Sequence, residues 1–518
     1  MDKFIRSVKS HIIPLNTLDM VASVGNIPAY FYFENCKCSL PNSKCNEGSL
    51  NNTFMPSSLL YTSFYTALIE FPILAGHFVQ NTNNASGAVV VDKNNLNLPE
   101  FIESHSNIHF KALKAAKYSW SALPRGAATV GASLSANKDG VIKLLNLHII
   151  RMKYDSGLVL FASIPHCIVD AVGYGAFIWR WAEICKQMHH GTATSKINST
   201  FVYDRCYLEH TLPKYGKKLD SVTSRLYTSG GFLSRLISRL PPLSRTKMYL
   251  WFFSLIKLAG NVFFISQEAL DNIRLEILDL DRTSISQKAE QQLSDNDIIT
   301  ALVSMVVAQG IKSSLENTPS KRTFRRVIDW FMPWILGKQS EFSTMFVVDP
   351  RPRLQHESKS KPKSNRYCYT GNMAYVRIVN SPLELVHADL NSNALGHVAR
   401  SIRTAVNECD AYFAKELVNT INKKPLEFAN GVLSAATNMQ RVVVSNHSRF
   451  PLYEIDFGSG TPVWICPPET FHDKTVFILP LNPRSKKKGY NIYISAEKRV
   501  ISKILDNKAW ARLADLVY

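Results

Sequence analysis

The hydrophobic pattern of the chain is clearest around its first third. Apolar runs over residues 141–152 and 157–164 flank a turn sequence at 154–157, and together they predict a β-hairpin. Directly afterwards, apolar residues recur at helical spacing over residues 174–185, which predicts a helix packed by one face. The segment between the hairpin and the helix is therefore a strand-to-helix loop on a rigid support.

This loop contains two side chains with candidate chemistry, His166 and Asp170. His166 lies in the loop itself, and Asp170 lies where the helix would begin. A loop held by a sheet can present an imidazole to a ligand, which is the geometry that a general base requires. The spacing alone also fits a half-buried structural histidine and an aspartate that only caps the helix.

Strands and helices alternate in both halves of the chain, a pattern typical of α/β proteins. The polar segment 189–247 has no sustained period and indicates a connection between two domains. We predict an N-terminal domain over residues 1–200, an interdomain connection over 201–247 and a C-terminal domain over 248–518. The other predicted elements are strands at 11–13, 29–33, 87–91, 262–266, 346–354, 441–445, 476–479 and 490–494, and helices at 59–69, 248–258 and 298–307.

Composition agrees with a large globular protein. The 518 residues exceed what a single core usually holds, and 46% of them are hydrophobic. The formal net charge of +19 suggests an anionic partner: a phosphate-bearing cofactor, an anionic membrane surface or nucleic acid. The sequence has no zinc-finger spacing, no basic region with heptads and no aromatic RNA-binding signature, so we expect no nucleic acid partner.

One segment, residues 321–336, places basic side chains before a cluster rich in tryptophan and phenylalanine. Such a segment could make peripheral contact with an anionic membrane surface. The alternative, which we favour, is that its aromatic side chains cover the core or line a substrate channel. Binding to anionic liposomes at low salt distinguishes the two.

The N-terminus lacks the apolar core of a secretory signal, and no window of about 18 residues is free of charge. We therefore expect a cytoplasmic protein whose nine cysteines are reduced. Cys36, Cys38 and Cys45 form a cluster, but without a nearby histidine they indicate an exposed loop in preference to a zinc site. We expect no bound metal.

Several common chemistries are not supported. Gly173-x-Gly175 lacks the third glycine of a dinucleotide fingerprint and begins inside the predicted helix. The sequence also has no phosphate-binding P-loop, no His-Glu-x-x-His zinc helix and no Gly-x-Ser-x-Gly nucleophile elbow. The remaining candidate is a histidine that acts as a general base, without a nucleophilic side chain from the protein.

Three motifs are spread along the chain: His166-x-x-x-Asp170, Asp349-Pro-Arg351-Pro-Arg353 and Asp456-Phe-Gly458-Ser459-Gly460. Supporting stretches lie at 71–78, 204–205, 296–297, 371–372 and 450–453. Together they resemble the motifs of the BAHD-type acyl-CoA-dependent acyltransferases over essentially the whole chain, and they are most similar to the fungal branch, which includes trichothecene O-acetyltransferases. Two positions depart from the family pattern: Ala171 replaces the usual glycine, and Ser459 replaces the usual tryptophan.

The resemblance implies an α/β fold with α+β mixed sheets: two similar chloramphenicol-acetyltransferase-like domains with a central channel. His166 would lie at the centre of this channel and accept the proton of the acceptor as it attacks the thioester carbonyl. The donor would be acyl-CoA, as a co-substrate and not a permanently bound cofactor, and the acceptor a small-molecule alcohol or amine. The acyl group would be acetyl or another acyl, and the enzyme would act as a monomer.

The resemblance also implies supporting roles for the other motif residues. Asp170 is expected to turn away from the channel and to pair with Arg353, in preference to Arg351, although the role of a simple helix cap stays open. The loop formed by Asp456, Gly458, Ser459 and Gly460 is expected to be mainly structural. The rival function is that of a catalytically degenerate relative that binds a ligand or partner without turnover.

Overall fold

The structure is a computed structural model. It describes residues 1–22, 25–36, 54–81, 86–124, 126, 141–192, 201–219, 257–283, 292–316, 340–354, 369–390, 392–424 and 440–518. Four predictions lie wholly or mostly outside the described residues: the connection at 201–247, the helix at 248–258, the membrane segment at 321–336, and the cluster of Cys36, Cys38 and Cys45, of which the structure describes an exposed Cys36.

The described residues alternate between strands and helices along the whole chain. The strands are β1 His11–Pro14, β2 Asn26–Glu34, β3 His77–Asn81, β4 Ser86–Val91, β5 Glu100–His105, β6 Asn146–Arg151, β7 Gly157–Pro165, β8 Leu258–Ser266, β9 Glu341–Val348, β10 Tyr375–Pro382, β11 Arg441–Asn446, β12 Trp464–Cys466, β13 Thr475–Leu479, β14 Gly489–Glu497 and β15 Asp515–Leu516. The α-helices are α1 Asp2–Ser7, α2 Thr17–Val21, α3 Ser57–Glu70, α4 Phe110–Ala115, α5 Ala171–His189, α6 Tyr207–Thr211, α7 Gln267–Thr283, α8 Asp295–Glu316, α9 Arg351–Leu354, α10 Leu383–Val386, α11 Ser392–Glu408, α12 Ala411–Lys423, α13 Lys498–Leu505 and α14 Lys508–Leu513.

A five-stranded mixed sheet, in the order β12-β2-β7-β6-β5, carries the candidate site. The predicted hairpin is confirmed, because β6 and β7 pair antiparallel. β7 is buried along its whole length, since its apolar run packs alternately on both faces of the sheet. On one of these faces α5 packs against α3, and the indole nitrogen of Trp181 in α5 donates to the carbonyl of Leu60 in α3.

A seven-stranded mixed sheet, in the order β10-β9-β11-β13-β14-β8-β15, forms the second large layer. The last predicted hairpin, β13 with β14, is confirmed as an antiparallel pair. Among the described residues, α8 is the helix long and apolar enough to cross a membrane by length and composition. Because 78% of the most apolar 18-residue stretch of α8 is buried inside the protein, α8 is a core helix.

The two sheets share an aromatic layer. Trp120 and Trp464 each pack against buried clusters that belong to both sheets. Trp464, in β12, donates through its indole nitrogen to the hydroxyl of Tyr518, at 3.1 Å. The ring centroids of Trp120 and Tyr518 are 4.7 Å apart. These aromatic side chains hold the five-stranded sheet against the seven-stranded one.

Two chain segments cross the predicted domain boundaries. β12 pairs with β2, so a strand from the C-terminal half of the sequence completes the N-terminal sheet. The buried side chains of Tyr453, Ile455 and Phe457 join the same N-terminal core. In the other direction, Leu18 of α2 packs in the core of the C-terminal sheet. A boundary at 201–247 therefore does not assign these segments to the sheet against which they pack.

Candidate active site

The loop between β7 and α5 is held by backbone contacts that leave one side chain accessible. The backbone nitrogen of His166 donates to the carbonyl of Gly25, at 2.8 Å, and the Arg205 guanidinium donates to the carbonyl of Ile168, at 2.7 Å. The three residues that follow His166 are buried, whereas His166 is partly exposed. The predicted strand-to-helix loop is thus confirmed, and it presents an imidazole from a fixed backbone.

The His166 ring is bonded to a residue far along the chain. Its Nδ1 lies 3.0 Å from Oδ1 of Asn372, and Nδ2 of Asn372 donates to the backbone carbonyl of His166, at 2.7 Å. Among the described residues, Nε2 of His166 has no hydrogen-bond partner. The ring is therefore fixed at one nitrogen and available at the other.

A buried carboxylate lies behind Asn372. Oδ1 of Asp19 accepts from the backbone nitrogen and from Nδ2 of Asn372, both at 2.9 Å, and lies 3.4 Å from the Arg205 guanidinium. The other oxygen accepts from the backbone nitrogen of Asn16, at 2.9 Å. Burial raises the pKa of Asp19, while Arg205, Asn372 and Asn16 oppose that shift. All these partners are donors, which suits the ionised carboxylate.

Asp170 is both a helix cap and one half of a buried ion pair. Its Oδ1 accepts from the backbone nitrogens of Val172 and Gly173, both at 3.1 Å. Its Oδ2 accepts from Arg351, at 2.8 Å, and from the backbone nitrogen of Met373, at 3.1 Å. Burial by itself would raise the pKa of Asp170, but Arg351 and the backbone donors more than offset burial and hold the pKa below its ordinary value.

The expectation that Arg353 is the preferred partner of Asp170 is wrong. Both arginines lie in the short helix α9, not in a strand as predicted, and the helical turn directs them differently. Arg351 is buried against Asp170, and its Nη2 also donates to the carbonyl of Gly371, at 2.9 Å. Arg353 donates instead to the backbone carbonyl of Cys409. Asp349 keeps Arg351 in place by accepting from its backbone nitrogen and its guanidinium.

Residues 369–373, which we call the docking loop, bring these partners to His166. The loop approaches the first turn of α5 so closely that a Cβ at Gly173 would clash with the carbonyl oxygen of Thr370. A Cβ at Gly371 would likewise clash with the Arg205 guanidinium. Gly173 is therefore needed for the close approach of two backbones, and Gly371 leaves room for the Arg205 side chain.

A second histidine, which the sequence analysis did not single out, lies near His166. The His447 ring is stacked between Phe450 and Phe477, with centroid distances of 5.2 and 4.9 Å. Its Nε2 is 2.9 Å from the hydroxyl of Ser445. Burial, together with the positive charge of a protonated His166, lowers the pKa of His447 to about 4.

His472 has a similar character. Burial, Arg441 and His166, in that order of size, lower the pKa of His472 to about 4. Its ring packs edge-on against Phe471, with centroids 4.6 Å apart. Both additional imidazoles are therefore neutral at neutral pH, and nothing in the sequence pattern separates them from the other histidines.

The Asp456–Gly460 loop lies at the opposite end of α5 from His166. Asp456 pairs with Lys186, at 2.8 Å, in the last turn of the helix, and accepts from the backbone nitrogens of Gly458 and Gly460. Since α5 has 19 residues, its ends lie roughly 28 Å apart. Ser459, one of the departures from the family pattern, accepts from the backbone nitrogen of Met55, at 3.4 Å.

Sequence reasoning found His166 and Asp170 but missed Asp19 and Asn372 as their supports. Two signals were present. The segment Asn16-Thr-Leu-Asp19 has the spacing of a capping box, which the structure contains at the start of α2. Gly371-Asn372 belongs to the supporting stretches of the family resemblance. Neither signal indicates that the two side chains meet.

One known protein family matches most of the chain. The family model described as Transferase family matches residues 6–221 and 337–509. The chain belongs to the Transferase family. This assignment agrees with the resemblance predicted from the three motifs, which lie within the matched residues.

Curated relatives of this Transferase family member match shorter segments. BAHD acyltransferase BIA1 from Arabidopsis thaliana is 31% identical over 91 residues, which are 17% of this chain and 21% of that protein. Anthranilate N-benzoyltransferase protein 1 from Dianthus caryophyllus is 24% identical over 146 residues, 28% of this chain and 31% of that protein. The matched segments thus span less than a third of these relatives.

Solved structures resemble the chain over nearly its whole length. TRI101 of F. graminearum, complexed with coenzyme A and deoxynivalenol, superimposes with a TM-score of 0.67 at 15% identity, over 98% of this chain and 100% of that one. Vinorine synthase superimposes with a TM-score of 0.55 at 13% identity, over 98% of both chains. The predicted mixed-sheet, two-domain fold of the BAHD type is confirmed.

Proposed function

We propose that this chain transfers an acyl group from an acyl-CoA thioester to a hydroxyl or amine group of a small molecule. One observation carries the proposal: His166 is held by Asn372 through Nδ1, while Nε2 has no partner among the described residues. A partly exposed imidazole fixed in this way is suited to general-base catalysis. Its position in the strand-to-helix loop matches the histidine of the family motif.

The reaction needs one base and no covalent enzyme intermediate. Nε2 of His166 removes the proton of the acceptor while its oxygen or nitrogen attacks the thioester carbonyl, and a C–O or C–N bond forms. The tetrahedral intermediate then collapses with cleavage of the C–S bond. The proton held by His166 passes to the departing thiolate, so the products are the ester or amide and free coenzyme A.

Asp170 has a supporting role in this proposal and transfers no proton. Its two oxygens are occupied by the first turn of α5, by Arg351 and by the docking loop. Its side chain and that of Arg351 are only 3% and 6% exposed, so a substrate has no access to them. The pair holds the Asp170 end of the β7–α5 loop against the docking loop.

The relatives and the charge support coenzyme A as the acyl carrier. TRI101 was solved with coenzyme A and deoxynivalenol and with coenzyme A and T-2 mycotoxin, and the Dianthus relatives are named as N-benzoyltransferases of anthranilate. The formal net charge of +19 also favours a cofactor with several phosphates. Because the Dianthus relatives are named for transfer to nitrogen, the proposal covers amine as well as hydroxyl acceptors.

A thiol-release assay tests the proposed function directly. The purified chain is incubated with acetyl-CoA and longer acyl-CoAs, with and without small-molecule extracts that contain hydroxyl and amine acceptors. We expect release of free coenzyme A that depends on an acceptor and that disappears in His166→Ala. Absence of acceptor-dependent release with every donor would favour the catalytically degenerate relative, and binding of acyl-CoA without turnover would then be expected.

A further inference from the structure

We infer that Asp19 and Asn372 are positioning residues that select the tautomer of His166, with the proton on Nδ1 and the lone pair on Nε2. The inference deepens the proposed function, on which it rests, because only that tautomer lets Nε2 accept a proton from the acceptor. The three side chains form a chain of hydrogen bonds from Asp19 through Asn372 to His166.

The first step is the orientation of the Asn372 amide. Its Nδ2 lies 2.9 Å from Oδ1 of Asp19 and 2.7 Å from the backbone carbonyl oxygen of His166. An ionised carboxylate and a carbonyl are both acceptors, so both require the NH2 group of the amide. The flipped amide would place its oxygen against these two acceptors and would lose both bonds.

The second step is the tautomer of the ring. With the amide oriented in this way, the group that faces Nδ1 of His166, at 3.0 Å, is the oxygen Oδ1 of Asn372. An amide oxygen can only accept a hydrogen bond. Nδ1 must therefore carry the proton in the neutral ring, and Nε2 is left with its lone pair.

The third step is the fixation of Asp19 itself. Its carboxylate is fully buried and is oriented by the backbone nitrogens of Asn16 and Asn372 and by Arg205. Asn16 and Asp19 form a reciprocal capping box at the start of α2, so the carboxylate is part of the framework of a helix. Rotation of Asp19 away from Asn372 would break these contacts.

The decisive readout is the tautomer, which is independent of turnover. In protein labelled with ¹⁵N-histidine, long-range ¹H–¹⁵N correlations at alkaline pH distinguish a protonated Nδ1 from a protonated Nε2, and loss of signals in His166→Gln assigns the ring. We expect protonated Nδ1 in the wild-type protein. In Asn372→Ala we expect the Nε2-protonated form to appear and kcat to fall by about 10- to 10³-fold with little change in KM.

Two further variants separate positioning from folding. Asp19→Asn keeps the size of the side chain but removes the charged acceptor, so we expect a smaller shift in tautomer and a smaller loss of kcat. Thr17→Ala is the matched control: it removes a hydrogen bond that α2 donates to Asn422, yet leaves the side chains of Asp19, Asn372 and His166 untouched. We expect it to lower thermal stability without changing the tautomer.

Two results would overturn the inference: a wild-type spectrum with protonated Nε2, or an Asn372→Ala protein that is folded and keeps both the wild-type tautomer and kcat. Failure of the proposed function gives a different pattern. The wild-type tautomer and its shift in Asn372→Ala would be as expected, but no acyl-CoA would release coenzyme A in an acceptor-dependent way.

Discussion

The two ends of helix α5 both carry family motifs, but they are held in different ways. At the first turn, Asp170 bonds to Arg351 and Met373 in buried contacts, and the preceding His166 bonds to Asn372 in a partly buried one. At the last turn, Asp456 bonds to the glycines of its own loop and to Lys186, which is 48% exposed.

This difference separates a candidate catalytic end from a structural one. Long-range, desolvated contacts hold a side chain in one geometry, and removal of one partner leaves another polar group buried without compensation. At the other end, Asp456 bonds to its own loop and to the exposed Lys186, so removal of either partner leaves no charge buried without compensation. A motif search treats both ends alike, whereas the burial of the partners distinguishes them.

The largest loss of stability is expected at the N-terminal end of α5, where Asp170 lies. Asp170→Ala and Arg351→Ala should each lower the free energy of unfolding by about 3–5 kcal/mol, because each strands a buried charge. The double variant should lose much less than the sum of the two. Urea denaturation of the four proteins measures both quantities, and acyl transfer per folded molecule should fall in all three variants because the His166 loop loses its support.

Arg353→Ala is the control for this prediction. It removes a neighbouring arginine of the same motif whose partner is the carbonyl of Cys409 and not Asp170. We expect a clearly smaller loss of stability and no coupling with Asp170→Ala. Strong coupling between Arg353 and Asp170, with additive losses for Arg351, would contradict the assignment of the ion pair.

The next largest effect is the loss of folding stability at acid pH that is caused by His447, a neighbour of His166. The folded protein holds the pKa of His447 at about 4, whereas the pKa of an unfolded histidine is about 6.5. Between these values the unfolded chain binds the extra proton, so stability falls as the pH falls from about 6.5 to about 4. Since His447 is partly exposed, we expect its share to be about 1–3 kcal/mol.

The variant His447→Gln separates the contribution of His447 to this pH dependence from the contribution of the carboxylates. Its loss of stability between pH 6.5 and pH 4, measured by denaturant melts at fixed ionic strength, should be less steep than that of the wild-type protein. Equal pH dependence of the two proteins would mean that His447 is protonated in the folded state within this range.

The smallest effect is expected at the other end of α5. Asp456→Ala should lower the free energy of unfolding by about 0.5–2 kcal/mol, the size of a lost cap, and Lys186→Ala by about 1 kcal/mol or less, because that ion pair is exposed. The acyl transfer rate per folded molecule should stay at the wild-type level in both. A large loss of activity without loss of stability would erase the distinction between the two ends.

The strands and the helix around the site could be predicted from the sequence. The hairpin β6–β7, the following helix and the place of His166 between them follow from local periodicity, since the strand is buried on both faces and the helix on one. The identity of the charged partners does not follow in this way. Arg351 and Arg353 are two residues apart, and only the turn of α9 decides which of them reaches Asp170.

The remaining parts of the site depend on contacts between distant segments. Asp19 lies 353 residues before Asn372. Each of Asp19, Asn372 and His447 has an ordinary local explanation, as a cap, a loop residue or a packed histidine. The exchange of β12 into the N-terminal sheet is likewise invisible in local patterns, because a three-residue strand carries little periodicity. Tertiary packing alone brings these residues together.

The most direct test of the central claim is the single-turnover rate of acyl transfer in His166→Gln. Glutamine keeps a polar side chain at this position but cannot accept the proton of the acceptor. We predict that the rate falls by about 10²- to 10⁴-fold, while thermal stability and acyl-CoA binding stay at wild-type levels. A His166→Gln protein that transfers the acyl group at the wild-type rate would contradict the assignment of His166 as the general base.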